Sequence, residues 1–308
     1  MNKKVQAGSQ TEPWTVLRLI RWTTNYLAGK GVARARLDAE LLLADLLGLT
    51  RVELYLNYDR PLLSPELAGF RERVRRRAMF EPVAYIIGRK EFYSLELKVN
   101  PQVLIPRPET ELLVDQALQL AQARLSGPEK EVGPLRIVDL GTGCGAIVIA
   151  LACNLPQAEF WALDLSESAL ETAGVNAAAH GLTERITFIK GDLLSPLKDQ
   201  AGFFHLIVAN LPYVPRSAFN DMDPDVKDFE PRLALDGGED GLDLIGEAIK
   251  QAHPLLRPQG ALLLEIWPTH ARRITEMGES GGYDQVSVFK DLSGRDRVAV
   301  LVKNRSGG

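Results

Sequence analysis

Asn210-Leu211-Pro212-Tyr213 closes the apolar run Phe204 to Ala209 and brings a carboxamide, a backbone carbonyl and an aromatic ring together at the end of a predicted strand. That grouping suits a planar group bearing an NH2. An amide nitrogen is a poor nucleophile because its lone pair is delocalised into the carbonyl, so a site that alkylates one must orient it rather than deprotonate it. The Asn210 side-chain oxygen and the Leu211 carbonyl are able to accept its two N–H bonds, with Tyr213 against its plane. The competing reading is a strand-terminating turn, since Asn and Pro form turns wherever they occur.

A second grouping lies upstream. Ile137-Val138-Asp139-Leu140-Gly141-Thr142-Gly143-Cys144-Gly145-Ala146 reads as a strand, a glycine-rich turn and a helix start. Glycines there let the backbone approach a ligand at a helix N-terminus. Asp164 ends the next strand, Trp161-Ala162-Leu163-Asp164, where a carboxylate can accept both hydroxyls of a ribose. Asp192 follows the third strand in Lys190-Gly191-Asp192-Leu193, placed to accept from an adenine amino group. A nucleoside cofactor accounts for all three strand ends. The glycine spacing does not separate this from the dinucleotide fingerprint, which tolerates Ala at the position of Ala146. The fourth strand's ending separates them better. A dehydrogenase needs a group that exchanges a proton with its alcohol, whereas Asn210 to Tyr213 offers only acceptors and a ring. Methyl transfer needs no such acid, because S-adenosylmethionine carries its own activated leaving group, S-adenosylhomocysteine; the protein has to align donor and acceptor.

These residues need a scaffold. After Pro134 the chain alternates strands and helices, with strands expected at Leu135 to Leu140, Ala158 to Leu163, Ile186 to Lys190, Phe204 to Ala209 and Gly260 to Ile266. Such alternation builds a mostly parallel sheet covered on both faces. Asp284 to Lys290 and Arg297 to Lys303 follow, separated only by Asp291 to Asp296, too short for a crossover, so the last strand should run antiparallel. The fold class is thus α/β, a doubly wound seven-stranded sheet preceded by a small helical bundle. The expected division is a helical domain over 11–85, a β-hairpin linker over 86–105 and a catalytic domain over 106–304. In the helical part Asp38 is the expected N-cap of a helix that stops at Gly48. Arg71 to Arg77 is the one basic cluster and reads as a solvated helix face. Gly127 to Pro134 reads as an exposed connector.

Composition narrows the class. The 308 residues are 45% apolar and 25% charged, with a net charge of −4 that gives no general attraction to nucleic acid. Cys144 and Cys153, the only cysteines, lie in one apolar helical segment, which argues against a disulfide framework and for the cytoplasm. Met1 to Gln10 is polar, and the longest apolar run, Ala146 to Cys153, is far short of the ~20 residues a membrane span needs. No metal is expected.

The motifs together resemble the release-factor glutamine methyltransferases, over nearly the whole chain. Similar segments are Asp38 to Leu43, Glu81 to Gly88, Ile105-Pro106-Arg107-Pro108-Glu109-Thr110-Glu111, Glu230 to Leu242 with its Gly237-Gly238, and Asp291 to Arg297. The resemblance implies a Rossmann-like methyltransferase that N5-methylates the glutamine in the Gly-Gly-Gln loop of peptide chain release factors. It implies that Gly141, Thr142, Gly143, Cys144 and Gly145 hold the methionine part of S-adenosylmethionine, Asp164 the ribose, and Asp192 with Leu193 the adenine. Asn210 and the Leu211 carbonyl, within Asn210 to Tyr213, hold the substrate amide. Arg107 to Glu111 line the substrate entrance or simply start a helix. The family usually has Asn-Pro-Pro-Tyr; Leu211 keeps the carbonyl but frees the dihedral that Pro fixes. Glu265 to His270 departs from the family's Glu-x-Gly-x-x-Gln, and His270 reads as a surface helix residue. Two other readings stand beside this one: a nucleic-acid adenine N6-methyltransferase, since rRNA adenine dimethyltransferases end this strand similarly, and a non-catalytic cofactor-binding module.

Overall fold

The computed structural model describes residues 13–126 and 133–304. The polar start Met1 to Gln10 and most of the Gly127 to Pro134 connector lie outside the described residues. The chain divides into two compact units, Met1–Ile87 and Gly88–Gly308, so the hairpin belongs with the sheet.

Five helices make the first unit: α1 (Val16–Gly29), α2 (Ala35–Leu47), α3 (Arg51–Leu56), α4 (Ser64–Ala78) and α5 (Val83–Ile87). Val16, Leu19, Ile20, Thr23 and Leu27 recur at helical spacing along α1 and all turn inward. Their core partners include Leu42, Leu43, Leu54 and Phe70. Gly48 ends α2 with φ 64, a left-handed cap. Thr50 and Glu53 form a reciprocal capping box at the start of α3.

Two expectations are corrected here. Asp38 is not an N-cap, because α2 starts at Ala35 after Arg34. Its carboxylate is buried and accepts from Arg77 Nε at 2.6 Å. The basic cluster is not a uniformly solvated face either. Arg73 pairs with Asp45, Arg75 with Glu72, Arg76 with Glu81, and Arg77 is buried against Asp38. Removing one partner of such a buried pair costs ~3–5 kcal/mol, since the other charge is left desolvated.

The second unit opens with β1 (Arg89–Phe92) and β2 (Leu95–Lys98), an antiparallel hairpin closed by Tyr93 and Ser94, both at positive φ as a tight two-residue turn requires. Then come α6 (Glu111–Ser126), β3 (Arg136–Leu140), α7 (Ala146–Asn154), β4 (Glu159–Asp164), α8 (Glu167–Ala179), β5 (Ile186–Lys190), β6 (Phe204–Ala209), the short α9 (Pro224–Lys227), α10 (Asp243–Leu255), β7 (Leu256–Glu265), α11 (Ala271–Ser280), β8 (Gln285–Lys290) and β9 (Asp296–Val302). The seven-stranded sheet runs β5-β4-β3-β6-β7-β9-β8. Its β3 to β7 pairings are parallel, and β9 is antiparallel to both β7 and β8, as the short final connection dictates. Every residue of β6 is buried, the mark of a strand covered on both faces. Most strand boundaries fall within a residue of expectation, and one differs by more. β7 begins at Leu256, and the ladder with β6 jumps from Leu256 to Ala261 across a bulge. Among the described residues no helix is long and apolar enough to cross a membrane.

Candidate active site

The strand order reverses at β3 and β6. From β3 the chain moves outward to β4 and β5; it later returns to β6 and continues on the other side, which opens a crevice beyond the carboxyl ends of the two strands. Leu140 and Ala209 are cross-strand partners, so Gly141 and Asn210 leave the sheet side by side. A cavity of about 540 Å³ occupies the crevice, lined by Gly141 to Cys144, Asp164, Asp192, Leu193 and Asn210 to Pro212, among others. That is ample for a drug-sized ligand, by the usual range of ~300–1,000 Å³.

On the β3 side Gly141 and Gly143 are among the lining residues. Gly141, Gly143 and Gly145 all have positive φ, at 73°, 55° and 85°. A Cβ on Gly141 would crowd Leu211 Cδ2 at 3.2 Å, whereas one on Gly143 would meet nothing within 4 Å. Gly143 therefore presents bare backbone to the cavity. The N–H groups of Gly141 and Thr142 both donate to the Leu163 carbonyl, pinning the loop to β4. Asp139 is fully buried beneath it and accepts from the Thr142 hydroxyl and the Val148 N–H, while its Oδ1 has no partner. Burial, opposed by these two bonds, pushes its carboxyl up to about 7. Asn176, which no sequence signal marked, donates to the carbonyls of Cys144 and Lys98 and so ties the loop to the hairpin. Cys144 sits in the loop before α7 rather than in the helix with Cys153, and burial pushes its thiol up to about 12, which makes it a packing residue.

Asp164 Oδ2 accepts from the Gly143 N–H and Oδ1 from the Ser166 N–H, each at 2.9 Å. Each oxygen keeps a second lone-pair direction, enough for a pair of hydroxyls. Burial raises the Asp164 pKa, against the pull of those backbone bonds. Asp192 is exposed at the cavity's edge, beside Leu193. The adjoining Gly191 has no room for a side chain, since a Cβ would fall 2.1 Å from Pro196 Cγ. Bare backbone, a diol-sized carboxylate and a partly apolar end with an acid fit a cofactor that joins an amino acid to a nucleoside.

On the β6 side, Asn210 Nδ2 donates to Thr110 Oγ1 at 3.2 Å, and the Thr110 hydroxyl donates to Glu265 Oε2 at 2.6 Å. Tyr213 does not lie with Asn210 on the cavity wall. Its hydroxyl donates to Glu265 Oε1 at 2.9 Å, and its ring packs against Trp267 with centroids 5.9 Å apart. Burial raises the pKa of both Tyr213 and Glu265. Leu211 is 4% exposed, so side-chain burial under Gly141 restrains the backbone where the family's Pro ring would. Arg107 and Thr110 line the cavity, while Pro108 occupies the first position of a short 3-10 turn leading into α6. Arg107 pairs at 2.5 Å with Glu230, which also accepts from the Ile105 N–H.

The segment Leu235 to Gly241 clamps the tetrapeptide. The Val214 N–H donates to the Leu235 carbonyl, and the Gly237 N–H returns to the Val214 carbonyl. A Cβ on Gly237 would come within 2.8 Å of the Pro212 oxygen, Tyr213 Cα and Gly241 Cα, all backbone. His270 is not the surface residue expected. It is buried at the start of α11, its Cε1 would lie 2.8 Å from a Cβ on Gly241, and burial holds its imidazole below the usual range. Trp267 and His270 thus fill space beside the clamp.

Comparison with known proteins agrees with this architecture. The PrmC N-terminal domain model matches residues 18–88, and a methyltransferase domain model matches residues 137–223. The chain is 39% identical over 297 residues to the release factor glutamine methyltransferase of Rhodopirellula baltica, covering 96% of this chain and 98% of that one. It is 42% identical over 287 residues to that of Geobacter sulfurreducens, covering 93% and 96%. Among solved structures, the hMettl16 catalytic domain in complex with MAT2A 3′UTR hairpin 6 superposes with TM-score 0.54 at 16% identity, over 81% of this chain and 86% of that one, a likeness of fold. By sequence over nearly its whole length, the chain belongs to the release factor glutamine methyltransferase family.

Proposed function

We propose that the protein transfers a methyl group from S-adenosylmethionine to the side-chain amide nitrogen of the glutamine in the Gly-Gly-Gln loop of peptide chain release factors. The observation that carries this reading is the adjacency of the glycine loop and the Asn210 carboxamide on one cavity at the strand-order reversal. S-adenosylmethionine supplies a methyl group on a positively charged sulfur, which needs no further activation. The residues supply position. Gly141 to Cys144 would hold the amino-acid end, Asp164 the ribose hydroxyls, and Asp192 with Leu193 the adenine, while Gly145, which faces Ile149 and Ala173 rather than the cavity, turns the loop into α7. The Asn210 Oδ1 and the Leu211 carbonyl accept the two N–H bonds of the substrate carboxamide and keep its plane fixed. Pro212 and Tyr213 brace this pair from behind. Neither Cys144 nor Tyr213 is disposed to act as a base, since burial raises both pKa values.

The helical unit docks the body of the release factor in this reading. A net charge of −4 supports a protein partner over nucleic acid. Two free cysteines support the reducing cytoplasm. Incubation with labelled S-adenosylmethionine and either unmodified release factor or ribosomal RNA tests the assignment. Label is expected in the release factor; label in the RNA alone would replace this reading with adenine methylation.

A further inference from the structure

We propose that Thr110 and Glu265 are positioning residues that fix which end of the Asn210 carboxamide faces the cavity. The proposal rests on the reading above, in which Asn210 accepts from the substrate amide.

A primary carboxamide is nearly symmetric in shape. Rotating it by half a turn exchanges an acceptor for two donors without moving any neighbour. Packing alone therefore cannot choose the orientation, yet the chemistry depends on it. A substrate NH2 has only donors to offer, and a reversed Asn210 would present donors to donors.

The hydrogen-bond chain makes the choice. The Glu265 carboxylate accepts from Thr110 at 2.6 Å and from Tyr213 at 2.9 Å. A hydroxyl has a single proton, and with Glu265 ionised, so that both of its oxygens accept, that of Thr110 is committed to Glu265. Only a lone pair of Oγ1 is left towards Asn210, so the NH2 end must sit there, at 3.2 Å. Asn210 Oδ1 receives no hydrogen bond from the described residues and is left for an incoming donor. Thr110 is 4% exposed and Glu265 1%, so the bond between them is buried from water. The three residues come from the turn before α6, the end of β7 and the end of β6, and none of their mutual bonds involves the glycine loop.

Three variants of the full chain test this: Thr110→Val, which keeps shape but removes the hydroxyl; Thr110→Ser, which restores it; and Glu265→Gln, which can donate to Thr110 and so lifts the imposed direction. Methyl transfer to intact release factor gives kcat and KM, titration gives cofactor affinity, and thermal unfolding checks folding. In parallel, NMR follows solvent exchange of the Asn210 side-chain amide protons in the substrate-free protein, assigned by their loss in Asn210→Asp. Thr110→Val is expected to lower kcat ~10- to 100-fold through misorientation of the acceptor, with cofactor affinity unchanged. Its Asn210 amide protons should exchange faster, Thr110→Ser should recover both properties, and Glu265→Gln should lose kcat while staying folded. Wild-type kcat in Thr110→Val or Glu265→Gln would overturn the proposal, as would Asn210 protons equally protected with and without the Thr110 hydroxyl. If the wild-type protein fails to methylate release factor, the functional reading falls, while the exchange measurement still decides whether Thr110 holds Asn210.

Discussion

The cofactor edge and the amide clamp meet at neighbouring strand ends but are assembled from different distances along the chain. At the cofactor edge, Gly141, Gly143 and Gly145 bend because they are glycines, Asp139 bonds Thr142 three residues away, Asp164 bonds Ser166 two residues away, and the longest ties to the loop, Gly143 to Asp164 and Cys144 to Asn176, span 21 and 32 residues. At the clamp, Asn210 is held by Thr110, 100 residues distant, and Thr110 by Glu265, 155 distant. Local chemistry shapes a cradle that many ligands could use. Long-range contacts hold the neighbouring Asn210 carboxamide and, in the proposed reading, set the direction it presents to the substrate.

The comparison predicts that damage at the clamp appears in kcat and damage at the cradle in cofactor affinity. Asn210→Ala should give the largest effect, a fall in kcat of ~100-fold or more, equivalent to several kcal/mol of transition-state stabilisation. Isothermal titration should find its cofactor affinity little changed; a matching loss of affinity would place Asn210 in the cradle instead. Gly237→Ala comes next. Its Cβ meets only backbone at 2.8 Å, so the tetrapeptide has to shift, and kcat should fall ~10- to 100-fold. Gly143→Ala should reverse the pattern. Its φ of 55° costs a side chain ~1–2 kcal/mol, and its Cβ enters open cavity, so cofactor affinity should drop about tenfold or more while a saturated enzyme keeps most of its kcat.

The smallest effect on turnover is expected at Asp139, where stability rather than rate is the readout. Burial raises its pKa from 3.8 to about 7, so the folded state prefers the protonated form. Its contribution is fully present below the unfolded pKa and is lost as pH rises through the folded value, between about 4 and 7. Asp139→Asn removes this slope. Melting temperatures taken across that range should show the variant gaining on the wild type as pH increases, by the equivalent of a few kcal/mol at most. Parallel curves would mean that Asp139 titrates normally.

What could be read from the sequence follows the same division. The strand β6 matches its apolar run to the residue, because a strand covered on both faces must be apolar throughout. The antiparallel β9 follows from a connection too short to cross over. The glycine loop and Asp164 carry their geometry in adjacent letters. Asp38, by contrast, has the composition of a cap, and only its partner Arg77, 39 residues later, makes it an interior residue. Tyr213 is drawn off the cavity wall by Glu265, and His270 is enclosed by the glycine clamp; both partners are remote in the chain. Thr110 lies inside a quoted motif, but its role needs a hydroxyl proton whose destination no spacing encodes. Asn176 had no signal, since an Asn within a helix is unremarkable until its amide meets the Cys144 carbonyl.

In the proposed reaction the acceptor is a carboxamide nitrogen held by Asn210. Peptide mapping of purified, unmodified release factor after treatment with the wild-type protein and with Asn210→Ala tests it most directly. One added methyl is expected on the side-chain nitrogen of the Gly-Gly-Gln glutamine with the wild type, and little or none with the variant. A methyl on another residue, or equal methylation of that glutamine by both proteins, would contradict it.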